Sequence, residues 1–378
     1  MSETMLSTRP LQGLRVIDFS TLLPGPYATL MLAEAGAEVI KIEKPQGGDE
    51  LRMGLPRWGA DSINFALLNA GKRSIAIDLK HPQSRERLLP LIREADVLVE
   101  QFRPGAMERL GLGYEDVRQI NPRLIYCSIT GYAPDGPSAR VAGHDLTYMA
   151  DAGLLSLTCG SVGEPVIPPV LVADIGGGSM PAVMNILLAL IQRNQTQAGT
   201  RISVSITDNL FAWPYAAVQR GMAFGDWPKT GGERLTGGTP RYQIYRARDG
   251  RYLAVAALED RFWQVFCDGI GLDAALREDG YDPAAVREAV ATILATRDST
   301  DWQAVFAGKD ACVSLVRTLE EAASDPQFGR LFGRRLCQDG RAVPAIATPL
   351  DPQFRDSAQS PAPALGEGNS LLGPEKAA

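Results

Sequence analysis

The feature that most constrains this chain is the alternation of short apolar strands with helical segments over its first 130 residues. Residues 14–19 have the pattern of a strand, residues 27–36 have helical spacing that ends in glycine, and residues 37–43 form the next strand. The alternation continues with predicted strands at 73–79, 96–100 and 124–129 and helices at 82–95 and 115–120. Because strands joined by helical crossovers lie parallel, the pattern predicts an α/β fold with a doubly wound parallel sheet.

The second half of the chain has a different pattern. A helix is predicted from Ser179, as its N-cap, to about residue 194, followed by a strand at 201–206 and a helix at 207–225. Residues 228–240 are polar and glycine-rich, which favours a linker. Strands at 242–245 and 252–257, with the helices after them, predict a smaller α+β module. The tail from Gln353 onward is expected either to wrap over the surface or to be partly mobile.

Composition excludes several classes of protein. The 378 residues are 45% hydrophobic and 22% charged, which is typical of a globular chain of about two domains. A net charge of −6 argues against general binding to nucleic acid or to an anionic membrane. The five cysteines form no CxxC pair and the N-terminus has no apolar signal segment, so we expect a cytoplasmic protein without disulfides or a metal site. The longest apolar run, residues 180–191, is too short to cross a bilayer and suits a buried helix.

Candidate imidazoles are few, since His81 and His144 are the only histidines. His81 lies at a predicted strand-to-helix junction, where a capping or surface role is sufficient. His144 follows a glycine and precedes Asp145. That setting suits a helix start and a functional imidazole equally well.

Two carboxylates follow predicted strands. Asp174 precedes three consecutive glycines, which weaken both helices and strands and so indicate a close approach to the backbone. Its carboxylate could be a proton acceptor or a nucleophile, or it could cap the glycine turn. Glu259 follows an apolar strand, and its position alone is best explained as the acid at a helix N-terminus.

Basic residues collect at the predicted strand ends, which form the edge where open α/β sheets bind ligands. They are Lys41, Lys44, Lys72, Arg73, Arg103, Arg109 and Arg140. The Pro24-Gly25-Pro26 turn lacks the GxGxxG pattern and its prolines remove amide donors, so a classical NAD site is not expected. We predict that the basic residues hold a phosphorylated anion, although each one alone could be a solvated surface charge.

A series of motifs covers almost the whole chain. It consists of LQGLRVID at residues 11–18, Gly25-Pro26, GAEVIKIE at 36–43, KRS at 72–74, DLK at 78–80, FRPG at 102–105, ERLG at 108–111 and ITGY at 129–132. Taken in order, the series resembles the family III CoA-transferase and α-methylacyl-CoA racemase superfamily, the CaiB/BaiF-like proteins.

The resemblance implies a large Rossmann-like domain with a parallel sheet, a smaller α+β domain, and two subunits interlocked as a homodimer. The large domain would comprise residues 1–205 completed by 332–378, with a linker helix and loop over 206–241 and the small domain over 242–331. The large domain would bind CoA as part of an acyl-CoA substrate, with no other cofactor and no metal. By matching position, the CoA contacts would be Leu22, Lys44, Ile77, Phe102, Arg109 and Arg140, with Lys72 and Arg103 as further contacts to its phosphates. Two positions depart from the family pattern: Lys44 stands where arginine is common, and Gln101 stands where asparagine is usual.

The active-site motifs resemble the racemase branch. Gly143-His144-Asp145 is followed by Tyr148, by Asp174 with its glycines, and by Glu259. The resemblance implies that His144 and Asp174 exchange protons with the α-carbon of a 2-methylacyl-CoA, while Glu259 and Asp145 orient His144. The amides of residues 176–178 would stabilise the enolate oxygen. The alternatives are a CoA-transferase, in which Asp174 attacks the acyl-CoA, and a CoA-binding protein without activity.

Overall fold

The computed structural model describes residues 9–59, 61–160, 164–278, 280–355 and 360–375. These residues form two compact units. The larger unit comprises the described parts of Met1–Ala152, Pro168–Trp213 and Arg330–Ala378, and the smaller comprises those of Gly153–Ile167 and Pro214–Gly329. The division differs from the predicted boundaries mainly in two places. Residues 206–241 are split between the units instead of forming a linker, and residues 153–167 belong to the smaller unit.

A parallel sheet organises the larger unit. Before residue 206, the larger unit contains the strands β1 (Arg15–Asp18), β2 (Glu38–Glu43), β3 (Arg57–Trp58), β4 (Asp61–Ser62), β5 (Arg73–Ala76), β6 (Val97–Glu100), β7 (Ile125–Thr130) and β8 (Arg201–Ser205). The sheet has the spatial order β5-β2-β1-β6-β7-β8, with every neighbouring pair parallel, and β3 pairs with β4 separately. This is the doubly wound order, in which ligands bind at the carboxyl ends of the strands where the order reverses, here between β1 and β6. The predicted parallel α/β sheet is confirmed.

The helices of this unit follow the predicted alternation. They are α1 (Pro24–Glu34), α2 (Ile63–Leu68), α3 (Ser84–Glu94), α4 (Ala106–Arg109), α5 (Tyr114–Ile120), α6 (Asp145–Asp151), α7 (Met180–Thr196) and α8 (Ile206–Phe211). A π-helical segment, Ala173–Ser179, runs directly into α7. Ser179 is therefore inside a continuous helix, and its prediction as an N-cap is wrong. Short 3₁₀ turns lie in both units: Glu50–Met53, Pro352–Phe354 and Asn369–Leu371 in the larger one, and Leu155–Leu157 and Ala274–Leu276 in the smaller one.

The core of the larger unit lies between the sheet and its helices. Ile17, Ile40, Ile75 and Leu98 on four adjacent strands are fully buried and belong to one cluster with side chains of α3 and α5. A parallel sheet that is covered on both faces favours such near-continuous aliphatic strands over alternating ones. The sheet is thus a rigid platform for the loops at its carboxyl edge.

The segment Ala173–Thr196 is long and apolar enough to cross a membrane by length and composition, with a mean hydropathy of 1.4. In the structure it packs against α1 and β7. One face of α7 is buried through Ala182, Val183 and Ile186, whereas the opposite face exposes Met184, Leu187, Leu188 and Ile191. The segment is therefore a core helix of the larger unit with one uncovered apolar face.

The smaller unit combines helices with an antiparallel sheet. Its strands are β9 (Tyr242–Arg246), β10 (Tyr252–Ala256) and β11 (Val313–Leu315), in the order β11-β10-β9. Its helices are α9 (Tyr215–Phe224), α10 (Asp260–Ile270), α11 (Pro283–Leu294), α12 (Ser299–Phe306), α13 (Leu319–Ala323) and α14 (Pro326–Gly329). The predicted single helix over 207–225 is broken before α9 because Pro214 lacks a backbone N–H. Thr230 donates a 2.8 Å hydrogen bond to the Ser156 carbonyl, which attaches residues 153–167 to this unit.

The C-terminal segment returns to the larger unit as the hairpin of β12 (Phe332–Leu336) and β13 (Ala342–Ile346). The Glu34 carboxylate of α1 accepts hydrogen bonds from Arg335 and Thr348. Further along, Asn369 Oδ1 accepts the Ala76 N–H at 2.8 Å. These bonds fix the tail along the larger unit, in line with its predicted course.

Candidate active site

The loops that leave β1 and β6 form the centre of the candidate site. Two cavities of the larger unit share Thr21, after β1, and Phe102, after β6. One has a volume of about 620 Å³ and contains Lys44, so it is named the Lys44 cavity. The other has a volume of about 350 Å³, contains His144 and Asp174, and is named the His144 cavity. Both lie at the switch point of the sheet, where ligands bind to folds of this topology.

The Lys44 cavity combines an apolar floor with charged walls. Four of the predicted CoA contacts, Lys44, Ile77, Phe102 and Arg109, line it. Ile77 is buried, whereas Arg109 is exposed at the end of α4. The Lys44 ammonium lies 2.7 Å from the Glu50 carboxylate, and both side chains are more than half exposed. Because exposed ion pairs contribute little stability, an incoming phosphate can replace Glu50 at small cost.

Three further predicted CoA contacts lie at or beside the His144 cavity. Leu22 and Arg103 line it, and Arg140 is exposed in the loop between two of its lining residues, Ala139 and Val141. Leu22 has a φ of 62°, in the left-handed region that favours glycine. The structure therefore gathers seven of the eight predicted CoA contacts around two adjoining cavities.

The eighth, Lys72, is placed elsewhere. Its side chain is fully buried and its Nζ lies 3.2 Å from Asp18 Oδ2. The ammonium also donates to Thr29 Oγ1 at 2.8 Å and to Asn69 Oδ1 at 2.9 Å. Burial lowers the pKa of Lys72 to about 8, with Asp18 opposing the shift. The prediction of Lys72 as a phosphate contact is not supported, because its donors are already bonded inside the larger unit.

His144 is held by its backbone while its side chain stays exposed. The His144 N–H donates to Thr147 Oγ1 at 2.9 Å, and the same hydroxyl donates to the His144 carbonyl at 2.8 Å. The Tyr148 hydroxyl donates to the Gly143 carbonyl at 2.7 Å. A Cβ at Gly143 would lie 2.3 Å from the Tyr148 ring, which explains the glycine before the histidine. These bonds fix the start of α6 and leave the imidazole on the cavity wall.

Asp174 lies in the π-helical segment, opposite Asp145. Asp145 is buried, and its Oδ1 accepts the Asp174 N–H at 2.9 Å. Asp145 therefore holds the backbone of Asp174, and its role in orienting His144 stays a prediction. Burial raises the pKa of Asp174 to about 6, the Asp145 charge adds to this shift, and His144 opposes it. The result is a half-buried carboxyl that exchanges a proton close to neutral pH.

Packing leaves little room for a side chain at two of the three glycines after Asp174. A Cβ at Gly176 would lie 2.3 Å from the Trp213 ring, and one at Gly177 would lie 2.8 Å from the Ile206 carbonyl oxygen. Asn209 donates a 2.7 Å hydrogen bond to the Gly177 carbonyl. The glycines therefore form part of a helix pressed against α8, and not the open turn that would offer free amides to an enolate oxygen. A π-helical segment within an α-helix is frequent at functional sites.

Glu259 lies in the smaller unit, where it directly precedes α10. Its carbonyl accepts the N–H groups of Phe262 and Trp263, each at 3.0 Å. Glu259 also lines a cavity of about 660 Å³ with Arg241 and Arg277. Its place at a helix N-terminus is the one that sequence position alone predicted, and its role beside His144 stays a prediction.

Sequence reasoning missed some residues that shape the site. Thr21 lines both cavities, and its position directly after β1 was the available signal. Gln101 Oε1 accepts the Gly25 N–H at 3.1 Å, so the departure from asparagine at this position joins the β6 loop to the start of α1. Among the described residues, no group of three or more His, Cys, Asp or Glu side chains could hold a metal ion.

Comparisons with known proteins cover nearly the whole chain. The model of CoA-transferase family III matches residues 11–369. The chain is 36% identical to the alpha-methylacyl-CoA racemase of Mus musculus over 82% of this chain and 79% of that protein. It is 31% identical to the succinyl-CoA:glutarate CoA-transferase of Mus musculus over 96% of this chain and 85% of that protein. The crystal structure of Rv3272 from M. tuberculosis has a TM-score of 0.83 at 29% identity, covering 97% of this chain and 99% of that one. With its fold, its motifs and these matches, the chain belongs to family III of the CoA-transferases.

Proposed function

We propose that the protein is a 2-methylacyl-CoA racemase, which inverts the α-carbon of an acyl-CoA thioester by 1,1-proton transfer. The observation that carries this proposal is that His144 and Asp174 line one cavity of about 350 Å³. Inversion needs one group that removes a proton and another that supplies one from the opposite side of the carbon. An imidazole and a carboxyl on the walls of one small cavity are suited to this task.

The titration of Asp174 supports the acid–base role. Its pKa is raised to about 6 by burial and by the Asp145 charge. A group whose pKa lies close to the working pH can take up a proton in one direction and return it in the other. A nucleophilic carboxylate must be ionised, and a raised pKa lowers the ionised fraction, so the shift favours the acid–base role over the nucleophilic one.

The proton transfer conserves every bond except those to the α-hydrogen. In one direction, Asp174 removes the α-proton, and the electron pair of the C–H bond passes into the thioester carbonyl to form an enolate. Protonated His144 then delivers a proton to the opposite face of the same carbon. The guanidinium of Arg103, which lines the same cavity, is available to stabilise the enolate oxygen. The reverse direction uses the same groups in exchanged roles.

The coenzyme portion of the substrate would occupy the Lys44 cavity. Ile77 and Phe102 offer an apolar surface, and Lys44 and Arg109 offer cations for phosphates. Because Thr21 and Phe102 line both cavities, a substrate bound along them would bring its thioester to His144 and Asp174. The CoA portion would therefore supply binding contacts that position the thioester, and it would take no part in the proton transfer itself.

Proton exchange in deuterated water tests this proposal. The protein is incubated with one epimer of a 2-methylacyl-CoA, and the α-carbon is followed by NMR and chiral chromatography. Deuterium at the α-carbon together with loss of optical purity is the expected result. A substrate that keeps its α-proton and its configuration over many enzyme equivalents would reject racemisation.

CoA transfer is the second candidate, and the similarity to CoA-transferases of more than 30% identity over some 95% of the chain favours it. In that reaction Asp174 attacks the thioester carbonyl, CoA leaves as the thiolate, and the acyl group remains on the carboxylate as a mixed anhydride. Hydroxylamine or borohydride would trap this acyl-enzyme, and CoA would appear on an added carboxylic acid. These products are absent from a pure racemisation.

We also propose that the protein acts as a homodimer, as the family resemblance implies, and in the cytoplasm, as its scattered cysteines predict. The exposed face of α7, with Met184, Leu187, Leu188 and Ile191, follows the i, i+3, i+4, i+7 spacing of one apolar stripe. Such a stripe favours cover by a second copy of the chain. Light scattering should give twice the chain mass of 40.7 kDa.

The role predicted for Glu259 beside His144 is tested separately. A Glu259→Gln variant that keeps full racemisation would remove Glu259 from the catalytic set.

A further inference from the structure

A second buried ion pair lies next to the junction of the two cavities. Lys41 Nζ is 2.9 Å from Asp49 Oδ2, and both side chains are fully buried. Burying two charges is costly and contributes little net stability, so such a pair calls for another explanation. The proton transfer proposed for His144 and Asp174 uses neither residue.

The pair is bonded to both sides of Thr21. Lys41 Nζ donates to the Ser20 carbonyl at 2.7 Å, and Asp49 Oδ1 accepts the Leu22 N–H at 3.3 Å. Thr21 lines both cavities, and Leu22 lines the His144 cavity. The three-residue turn after β1 is therefore held on both sides of Thr21 by this ion pair, in addition to the Asp18 carboxylate that accepts the Ser20 N–H.

Leu22 adopts a backbone conformation that leucine does not favour. Its φ of 62° brings the Cβ of an L-residue close to the following carbonyl. A strained conformation persists only where the surrounding structure holds it, and such residues cluster at functional sites. The hydrogen bond from the Leu22 N–H to Asp49 Oδ1 holds this conformation.

We propose that Lys41 and Asp49 are positioning residues for the proton transfer. They fix the turn of residues 20–22 so that a thioester whose coenzyme lies in the Lys44 cavity presents its α-carbon to His144 and Asp174. Asp49 also lines the Lys44 cavity, so one carboxylate forms the wall of the coenzyme site and holds a wall residue of the reaction site. This inference rests on the proposed racemisation.

Lys41→Met tests the positioning role. Lys41 is not among the residues lining either cavity, so the substitution leaves the coenzyme contacts in place. Because small misplacements of reacting groups are costly, we expect kcat for α-deuterium exchange to fall by about tenfold or more. The Kd for free CoA, measured by calorimetry, should change by no more than about twofold, since no phosphate or ring contact is lost.

Arg193→Met is the matched control. Arg193 is the buried cation of another pair, 2.9 Å from Asp96. Asp96 directly precedes β6, so this pair lies at the amino ends of the strands, away from the carboxyl ends where the cavities are. The substitution should reduce thermal stability, though by less than Lys41→Met because Asp96 is partly exposed, and it should leave kcat unchanged. A folded Lys41→Met protein with wild-type kcat would overturn the proposal, and so would a loss of CoA affinity equal to the loss of kcat.

Double variants keep the test valid if Lys41→Met folds poorly. Lys41→Met/Asp49→Asn retains an oxygen acceptor for the Leu22 N–H without an unpaired buried charge, whereas Lys41→Met/Asp49→Ala removes the acceptor. We expect the Asn variant to have a kcat about tenfold above that of the Ala variant. Equal kcat values would overturn the positioning role. Absence of α-exchange in the wild-type protein would instead reject racemisation itself, so the two failures are distinguishable.

Discussion

Two carboxyl groups of the larger unit are both withdrawn from solvent, yet their pKa values are shifted in opposite directions. Asp18, at the end of β1, and Asp174, in the π-helical segment, both have burial as the main influence that raises the pKa. For Asp18 the charges of Lys72 and Lys41, together with hydrogen bonds from Ser20 and Thr29, outweigh burial and hold the pKa at about 2. For Asp174 the nearby charge of Asp145 adds to burial, and the pKa rises to about 6.

The comparison teaches that neighbouring charges, and not depth, separate a structural carboxylate from an acid–base one. Asp18 stays ionised at every physiological pH and accepts bonds from Ser20 and Thr29, so it acts as an anchor for the β1 turn. Among the residues that the structure describes, the influence that lowers the pKa of Asp174 is His144, whose side chain is exposed. The same Asp145 that holds the Asp174 amide also makes its carboxyl easier to protonate.

Neutralising Asp174 has the largest expected effect. Asp174→Asn keeps the size of the side chain but removes the proton acceptor, so α-deuterium exchange should fall by about 10² to 10⁴-fold. Asp116→Asn, a carboxylate in the first turn of α5, should exchange at the wild-type rate. Exchange that survives in a folded Asp174→Asn protein would contradict the acid–base role.

Removing the partner of Asp18 tests the other side of the comparison. Lys72→Met removes the cation that is ion-paired with a fully buried carboxylate and leaves only the neighbouring charge of Lys41, so we expect a loss of about 3 kcal/mol in the free energy of unfolding. Arg73→Met, at the next residue, removes a half-exposed cation paired with Glu38 and should cost less than about 1 kcal/mol. Chemical denaturation of both variants at pH 7 measures the difference. Similar losses would mean that Lys72 is no more structural than its surface neighbour.

The comparison also shows what the sequence can and cannot predict. The strands at 15–18, 38–43 and 97–100 were predictable because buried parallel strands are continuous aliphatic runs. The site edge followed from topology alone, since residues after parallel strands meet at one edge. His144 and Asp174 were singled out by their neighbours in the sequence and by the family resemblance.

Lys72 was misjudged because it was grouped with Lys44 by residue type, although Lys72 directly precedes β5 whereas Lys44 directly follows β2. Its side chain is bonded to partners that are distant in the chain, Asp18 at 54 residues and Thr29 at 43 residues. The glycines at 176–178 were interpreted as an open turn because glycine weakens helices. In the fold the same glycines let α8 and Trp213 approach the π-helical segment, a tertiary contact that no local pattern indicates.

The two carboxylates should respond to pH with opposite sign. The lowered pKa of Asp18 contributes stability that is present above its unfolded pKa of about 3.9 and lost as the pH falls towards 2. The raised pKa of Asp174 means that the folded state binds this proton more tightly, so stability falls as the pH rises from about 4 to about 6. Asp174→Asn should therefore stabilise the protein at pH 8 by about 1 kcal/mol, allowing for its partial exposure, and have little effect at pH 4.

Asp18→Asn is the matched substitution for that measurement. It removes the charge that pairs with Lys72, so it should destabilise the protein at pH 8. Denaturation curves of the two variants at pH 4 and pH 8 give the sign of the change in the free energy of unfolding for each substitution. Destabilisation by Asp174→Asn at pH 8 would show that its carboxylate is bonded like that of Asp18.

The smallest expected effect isolates the contribution of Asp145. Asp145→Asn retains an oxygen that can accept the Asp174 N–H but removes the negative charge, so the pKa of Asp174 should fall while the backbone stays in place. Because burial is the larger cause and remains, the acidic limb of the pH–rate profile should move down by only about half a pH unit. Asp151→Asn, at the end of the same helix and bonded to Tyr132, should leave the limb unchanged. If Asp145→Asn also leaves the limb unchanged, the titrating group is not Asp174, and the contrast with Asp18 would no longer explain how this site handles protons.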